Sequence, residues 1–291
     1  MKSHILAPLL ASTAVIVALS VIYPVNVDFY TVNPDWNGLT VFASEAKAVE
    51  APLTTLTSLY SPQNYTILII GPSANFTAQE AVAIKNFLAM GGTVVVMDDF
   101  GTANQLLSLL QVPARFSGQL MLDPLLNQGH PALPTAYWGN NKIALNYATT
   151  INITTHRNVR ILAASSPFSY LDLNLNNHYD KDEPAGPFPI AVELNIGPGR
   201  LVLVSDPSIL INTMVNREQN KQFVLYLLGG KTPAIDDSHW EKNLHAEVRD
   251  LLAKAWLVAS SPEIKYSLAI SLAVFVAILN KNLYAKKPAK S

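Results

Sequence analysis

The chain has 291 residues, 49% hydrophobic and 14% charged, with a formal net charge of −1 and no cysteine. Soluble domains average about 25% charged residues, so this composition suits an apolar setting or a partnered surface. The missing cysteine excludes a disulfide framework, a Cys-ligated metal centre and a thiol nucleophile, and the near-neutral charge offers nucleic acid no basic patch.

Lys2 precedes an uncharged run from Ile5 to Tyr23 that Pro24 closes. At about 1.5 Å per helical residue its length matches a hydrocarbon core, so the run is expected to be a transmembrane anchor. The rival reading is a cleaved signal peptide with Ala18-Leu19-Ser20 as its cleavage site. The apolar run continues past that site through Val21, Ile22 and Tyr23, which favours the anchor.

Val25 to Tyr30 alternates as a strand, Asn33-Pro34-Asp35-Trp36-Asn37-Gly38 is a turn cluster, and Ala43 to Val49 reads as helix. Ile67 to Ile70 is a strand buried on both faces and closed by Gly71-Pro72. Thr77-Ala78-Gln79-Glu80 is a capping box for a helix with Ala81, Ile84 and Leu88 at helical spacing, stopped by Gly91-Gly92. Thr93 to Met97 is the next buried strand, and Asp98-Asp99-Phe100-Gly101 turns into a helix near Thr102 to Leu110. From Pro113 to Gly199 the rhythm becomes Pro-, Asn- and Gly-rich with short strands, as in an irregular insertion. Arg200 to Val204 resumes the core, followed by a helix from Gln219 to Leu228 ending at Gly229-Gly230. His239 to Val258 reads as an amphipathic helix. The alternation predicts an α/β fold with a flavodoxin-like, doubly wound, mostly parallel sheet at about 25–235.

The uncharged run from Tyr266 to Leu279 reads as a second transmembrane helix, spanning about 263–284, the alternative being a buried core helix. Lys281, Lys286, Lys287 and Lys290 follow, so the positive-inside rule places both termini in the cytoplasm and the α/β part outside it. The segments outside 24–263 hold six lysines and no acid, which leaves 14 basic against 21 acidic residues in the middle, a net of −7. Even so, those 35 charges spread over 240 residues leave the middle charge-poor, as a surface covered by partners would be. Expected partners are the lipid bilayer and other membrane-protein subunits, and no nucleic acid. Three sequons, at Asn64, Asn75 and Asn152, permit glycosylation without arguing for it.

In doubly wound sheets ligands sit outside the carboxyl ends of the strands. Trp36, Asn37, Ser73, Asp98, Asp99 and Asp206 fall at such ends and are candidates for a ligand crevice; the same residue types also serve as turn formers and caps. One further segment has a chemical spacing. Asp172, Asn174, Asn176, Asp180 and Glu183 occupy positions 1, 3, 5, 9 and 12 of a calcium loop, and His178 would offer its carbonyl at position 7. Asn177 stands where glycine is usual, and Pro184, Pro187 and Pro189 deny an exiting helix. The expectation is an isolated, weak, structural Ca²⁺ loop, against an Asn/Asp-rich surface turn without metal. Ser44-Glu45-Ala46-Lys47 and Gly230-Lys231-Thr232 imitate catalytic and phosphate motifs but lack the companion residues. Asp236, Asp237 and His239, just before the amphipathic stretch, read as an N-cap on a solvated surface, the alternative being a hydrolytic or metal cluster.

The Asn33-to-Gly38 turn, the block Ile67-Leu68-Ile69-Ile70-Gly71-Pro72 with Glu80 and Phe87, Gly91-Gly92-Thr93-Val94-Val95-Val96, Gly199 to Pro207 and Ile235 to His239 together resemble a membrane-anchored domain-of-unknown-function family, the one numbered four-three-five-zero. The likeness covers about residues 25–245. It implies a fold like that of class I glutamine amidotransferases and a scaffold or binding role, without the amidotransferase chemistry, because the nucleophilic cysteine is absent. The expected function is therefore a non-enzymatic binding subunit of a membrane assembly. The alternative is a hydrolase using Asp98, Asp99 and Asp206.

Overall fold

The buried apolar runs form the parallel half of one large sheet. A computed structural model describes residues 27–241, apart from 156 and 157, together with scattered helical positions nearer the ends, among them 11–13 and 244–248. The chain divides into two units, Pro24–Glu241 and a second made of Met1–Tyr23 with Lys242–Ser291. In chain order the first unit carries α1 (Thr40–Glu45), β1 (Val49–Ala51), α2 (Leu53–Leu56), β2 (Tyr65–Ile70), α3 (Ala78–Ala89), β3 (Thr93–Met97) and α4 (Ala103–Leu109). The strands of the middle region are β4 (Ala114–Phe116), β5 (Leu120–Leu122), β6 (Thr135–Trp138), β7 (Asn141–Ala144), β8 (Ile151–Ile153), β9 (Val159–Ser165) and β10 (Tyr170–Asp172). The last elements are β11 (Pro189–Ile196), β12 (Gly199–Val204), α5 (Asn220–Leu228) and β13 (Thr232–Asp236).

Nine strands form the main sheet in the order β1-β13-β2-β3-β12-β11-β9-β6-β7. The first four pairings are parallel and the last four antiparallel. The sheet is thus mixed rather than mostly parallel, which corrects the flavodoxin-like expectation: the stretch read as an irregular insertion supplies four of the nine strands, β6, β7, β9 and β11. Every residue of β3 is buried, as a central strand covered on both faces requires. Ile67, Ile69, Val94, Val96, Leu201 and Leu203 pack with Ile84, Phe87 and Leu88 of α3 and with Leu106 and Leu107 of α4. Each such side chain contributes about 1.5–3 kcal/mol on leaving water.

The capping box at Thr77 forms as expected: Thr77 Oγ1 accepts from Glu80 N, and Glu80 Oε2 accepts from Thr77 N at 2.7 Å. Gly229, at φ 62°, takes the left-handed position that ends α5.

Three other expectations change. Residues 27–30 are a turn, not a strand, with Phe29 at φ 61°. Val49 begins a strand beside β13 instead of closing a helix. His239 and Trp240 are not helical; among the described residues, 244–248 are helical in the segment read as amphipathic. The expected flanking transmembrane helices are also corrected. Among the described residues no helix is long and apolar enough to cross a membrane, and the runs Ile5–Tyr23 and Tyr266–Leu279 lie almost wholly outside those residues.

Candidate functional site

Parallel strands deliver their carboxyl ends to one edge, and the candidate polar residues converge there. After β2, Gly71 turns at φ 51° directly beneath the ring of Phe29; a Cβ at Gly71 would lie 2.3 Å from that ring. Ser73 follows. Its N–H donates to the carbonyl of His239 at 2.9 Å, and its Oγ accepts from Glu241 N at 2.8 Å. Trp240 Nε1 donates to Ile70 O at 2.7 Å and so closes the end of β2. Asp28, Phe29, Gly71, Ser73, Trp240 and Glu241 line a cleft of about 230 Å³ at this edge.

Asp98, at the end of β3, is buried. Its Oδ1 accepts from Asp99 N and Gly101 N, and its Oδ2 from Ala103 N, the first residue of α4. Burial raises its pKa above the ordinary carboxylate value while the backbone donors oppose the rise. Asp206, after β12, is wholly buried and accepts from Asn146 N and Ser208 N, both at 2.7 Å. Burial lifts its pKa well above the ordinary range, and the charge of Asp99 adds to the lift. Asp99 is half-buried and accepts from Phe100 N at 2.6 Å. Burial, with the charges of Asp98 and Asp28, pushes it up to about 6. Neighbouring Ser205 is wholly buried, and its Oγ has no hydrogen-bond partner, so no base activates it as a nucleophile.

Asn37 reaches this edge through its amide, which donates to Asp28, and through its carbonyl, which accepts from Phe29 N at 3.0 Å. Its own position is fixed by Asn33, which organises the turn through bonds to Val27 O and Asn37 Oδ1, both at 2.9 Å. Trp36 is 61% exposed and does not line the cleft; its carbonyl accepts from Thr213 N and Oγ1. Asp28, Phe29, Trp240 and Glu241 are the lining residues that sequence reasoning missed. The strand-like alternation at 25–30 hid the first two, and the amphipathic pattern from 239 hid the others.

A second cluster surrounds β13. His239 Nδ1 lies 2.6 Å from Asp236 Oδ2, and its Nε2 lies 3.6 Å from Glu80 Oε1. The ring stacks on Phe76 at 3.9 Å. Asp236 also accepts from Ser238 Oγ at 2.6 Å. These groups join the start of α3 to the end of β13. The N–H of Asp237 donates to Ala51 O at 3.4 Å.

The loop 172–183 closes on itself. Asp172 is buried and caps Asn176 N and Asn177 N; Asn177 adopts φ 62°. Asn174 Nδ2 and Asn176 Nδ2 both donate to Asp180 Oδ2 at 2.9 Å. Glu183 accepts from Leu173 N and Asp180 N, and the N–H of His178 donates to Asn176 Oδ1. All six predicted residues therefore meet in one loop, but as an internal hydrogen-bond network. Among the described residues no group of three or more His, Cys, Asp or Glu side chains is placed to hold a metal ion.

No curated protein matches the chain. Among solved structures, the chain is similar to the mmIFT52 N-terminal domain, at 16% identity and TM-score 0.43, over 55% of this chain and 75% of that one. It is also similar to exo-beta-1,4-mannosidase Op5Man5 from Opitutaceae bacterium strain TAV5 (16% identity, TM-score 0.35), over 58% of this chain and 26% of that one. A third is the beta-galactosidase from Bacillus circulans sp. alkalophilus (14% identity, TM-score 0.32), over 58% and 23%. The family described as "Domain of unknown function (DUF4350)" matches residues 31–228, which holds β2, β3 and β12 with the corners that follow them, and the chain belongs to that family.

Proposed function

We propose that the α/β unit is a non-enzymatic binding module of a larger assembly, engaging its partner at the carboxyl edge of the parallel strands. The observation that carries this reading is the engagement of the two buried aspartates. Asp98 and Asp206 offer both carboxylate oxygens to backbone amides, so they brace loops and are not poised toward a substrate. Purification of the full-length chain under native conditions from its host tests the reading. A stoichiometric co-purifying protein is the expected result; a chain recovered alone overturns it. The proposed partners are subunits of a membrane assembly, which the charge-poor middle of the chain supports as a surface to be covered, and its proposed position is outside the cytoplasm. Protease accessibility in intact cells tests that placement.

The hydrolytic reading keeps one supporting observation, the half-buried Asp99 raised to about 6, as a general acid or base requires. Asp99→Asn would abolish any hydrolysis of a screened ester or glycoside if that reading held. For the 172–183 loop we propose a weak structural Ca²⁺ site, supported by the convergence of Asp172, Asn174, Asn176, Asp180 and Glu183. Calcium raises the melting temperature under this reading, and an unchanged melt on adding chelator removes it.

A further inference from the structure

The cleft at the end of β2 has a lining that selects its occupant. Its charged side chains, Asp28 and Glu241, are both acidic and both exposed. Neither has an ion-pair partner among the described residues. The charge of Asp99 couples to that of Asp28, so the negative potential extends beyond the lining. Two of the remaining lining residues are aromatic, Phe29 and Trp240, beside Val27, Gly71 and Ser73, and aromatic ring faces attract cations. These walls are set in advance: Trp240 by its bond to Ile70 O, Phe29 by its seat on Gly71, and Asp28 by the amide of Asn37. Prior ordering of this kind lowers the cost of binding. A volume of about 230 Å³ falls below the roughly 300–1,000 Å³ of drug-sized sites and suits a single side chain. Among the described residues the charged side chains lining the cleft are acidic and repel an anion, which disfavours the phosphate groups that doubly wound sheets often bind at such an edge.

We infer that this cleft receives an ammonium or guanidinium group, presented by a lysine or arginine side chain of the partner. The inference rests on the binding-module reading and gives its contact a chemistry. Nα-acetyl-arginine amide and Nα-acetyl-citrulline amide differ mainly in charge, and spermidine represents a free polyamine. Calorimetric titration of the full-length chain with each should show the arginine compound binding about tenfold more tightly than the citrulline one, and more weakly as salt rises. Asp28→Asn combined with Glu241→Gln should erase that preference while the thermal melt stays in place, because both side chains are exposed. Glu241→Gln alone gives the same test, with a smaller loss, if the double variant does not fold. Equal affinity for arginine and citrulline, no saturation by arginine, or an unchanged preference in the variant overturns the inference. Binding of spermidine without binding of the arginine compound overturns the partner side chain as the source. If the variant still retains a co-purifying protein, the inference falls and the binding module stands. If the wild type retains none, the module falls and the titration still decides the cleft.

Discussion

At the carboxyl edge of the parallel strands, Asp98 and Asp206 are buried with neutral donors for partners, and burial pushes both carboxyl groups upward. Across the boundary between β12 and β11, Glu193 is also nearly buried, yet it lies between two arginines, Arg160 at 2.9 Å and Arg200. Burial pushes Glu193 up as well, but hydrogen bonds and charge from Arg200 and then Arg160 outweigh it and hold the group below its ordinary value. Backbone amides satisfy a carboxylate geometrically but bring only partial charge, whereas a guanidinium neutralises it. The arginines thus hold Glu193 ionised, whereas burial drives Asp98 and Asp206 toward their neutral forms, and the acidic side chains that face the cleft at that edge are Asp28 and Glu241.

The largest test of this contrast is Asp98→Ala. It strands three backbone N–H groups at the start of α4, those of Asp99, Gly101 and Ala103. A loss of about 3 kcal/mol is expected from urea midpoints at pH 7, with Asp98→Asn costing less because one oxygen remains. Glu193→Gln comes next, at about 2 kcal/mol at pH 7, since it leaves both arginines without their anion. Here the folded-state pKa is lowered, so the stabilisation is fully present above the unfolded carboxylate value and is lost as pH falls through the folded one. The variant and the wild type should converge in acid. A gap that persists there would mean that Glu193 acts by packing alone.

These two variants also mark what local sequence can and cannot reveal. The Asp98 corner is built from residues within five positions of each other, and β2, α3, β3, α4, β12 and α5 are equally local patterns of buried runs, caps and stops. The Glu193 centre joins β9, β11 and β12, and no spacing announces it. β13 escaped for a different reason. Pro233 argues against a central strand, yet Thr232–Asp236 lies between β1 and β2, and Pro233 pairs with Thr66. The cleft escaped because residues 28–29 meet residues 240–241 only in the fold. A local device should therefore respond to a local change. Thr77→Ala removes the hydroxyl that caps α3 and should cost about 1 kcal/mol in the same denaturation experiment. Serine at that position should restore most of the loss.

Asp99→Asn carries the smallest expected effect and the opposite sign. Asp99 is raised to about 6 by burial and by the charges of Asp98 and Asp28, so folding favours its protonated form. Between the unfolded carboxylate value and about 6 the folded chain holds the extra proton. Stability from this group is therefore greatest in acid and declines as pH rises through that window. At pH 7 the wild type bears the cost of an ionised Asp99, and asparagine does not; its amide oxygen can still accept from Phe100 N. Two pH units would correspond to about 3 kcal/mol for a fully buried group. Solvent reaches Asp99, so a gain of about 1 kcal/mol or less is expected at pH 7, vanishing near pH 4. Denaturation at pH 4, 5, 6 and 7 reads it directly. A variant less stable than the wild type at pH 7 would show that the Asp99 charge is already matched by a cation, and the contrast between the two sides of the sheet would fail at its most accessible carboxylate.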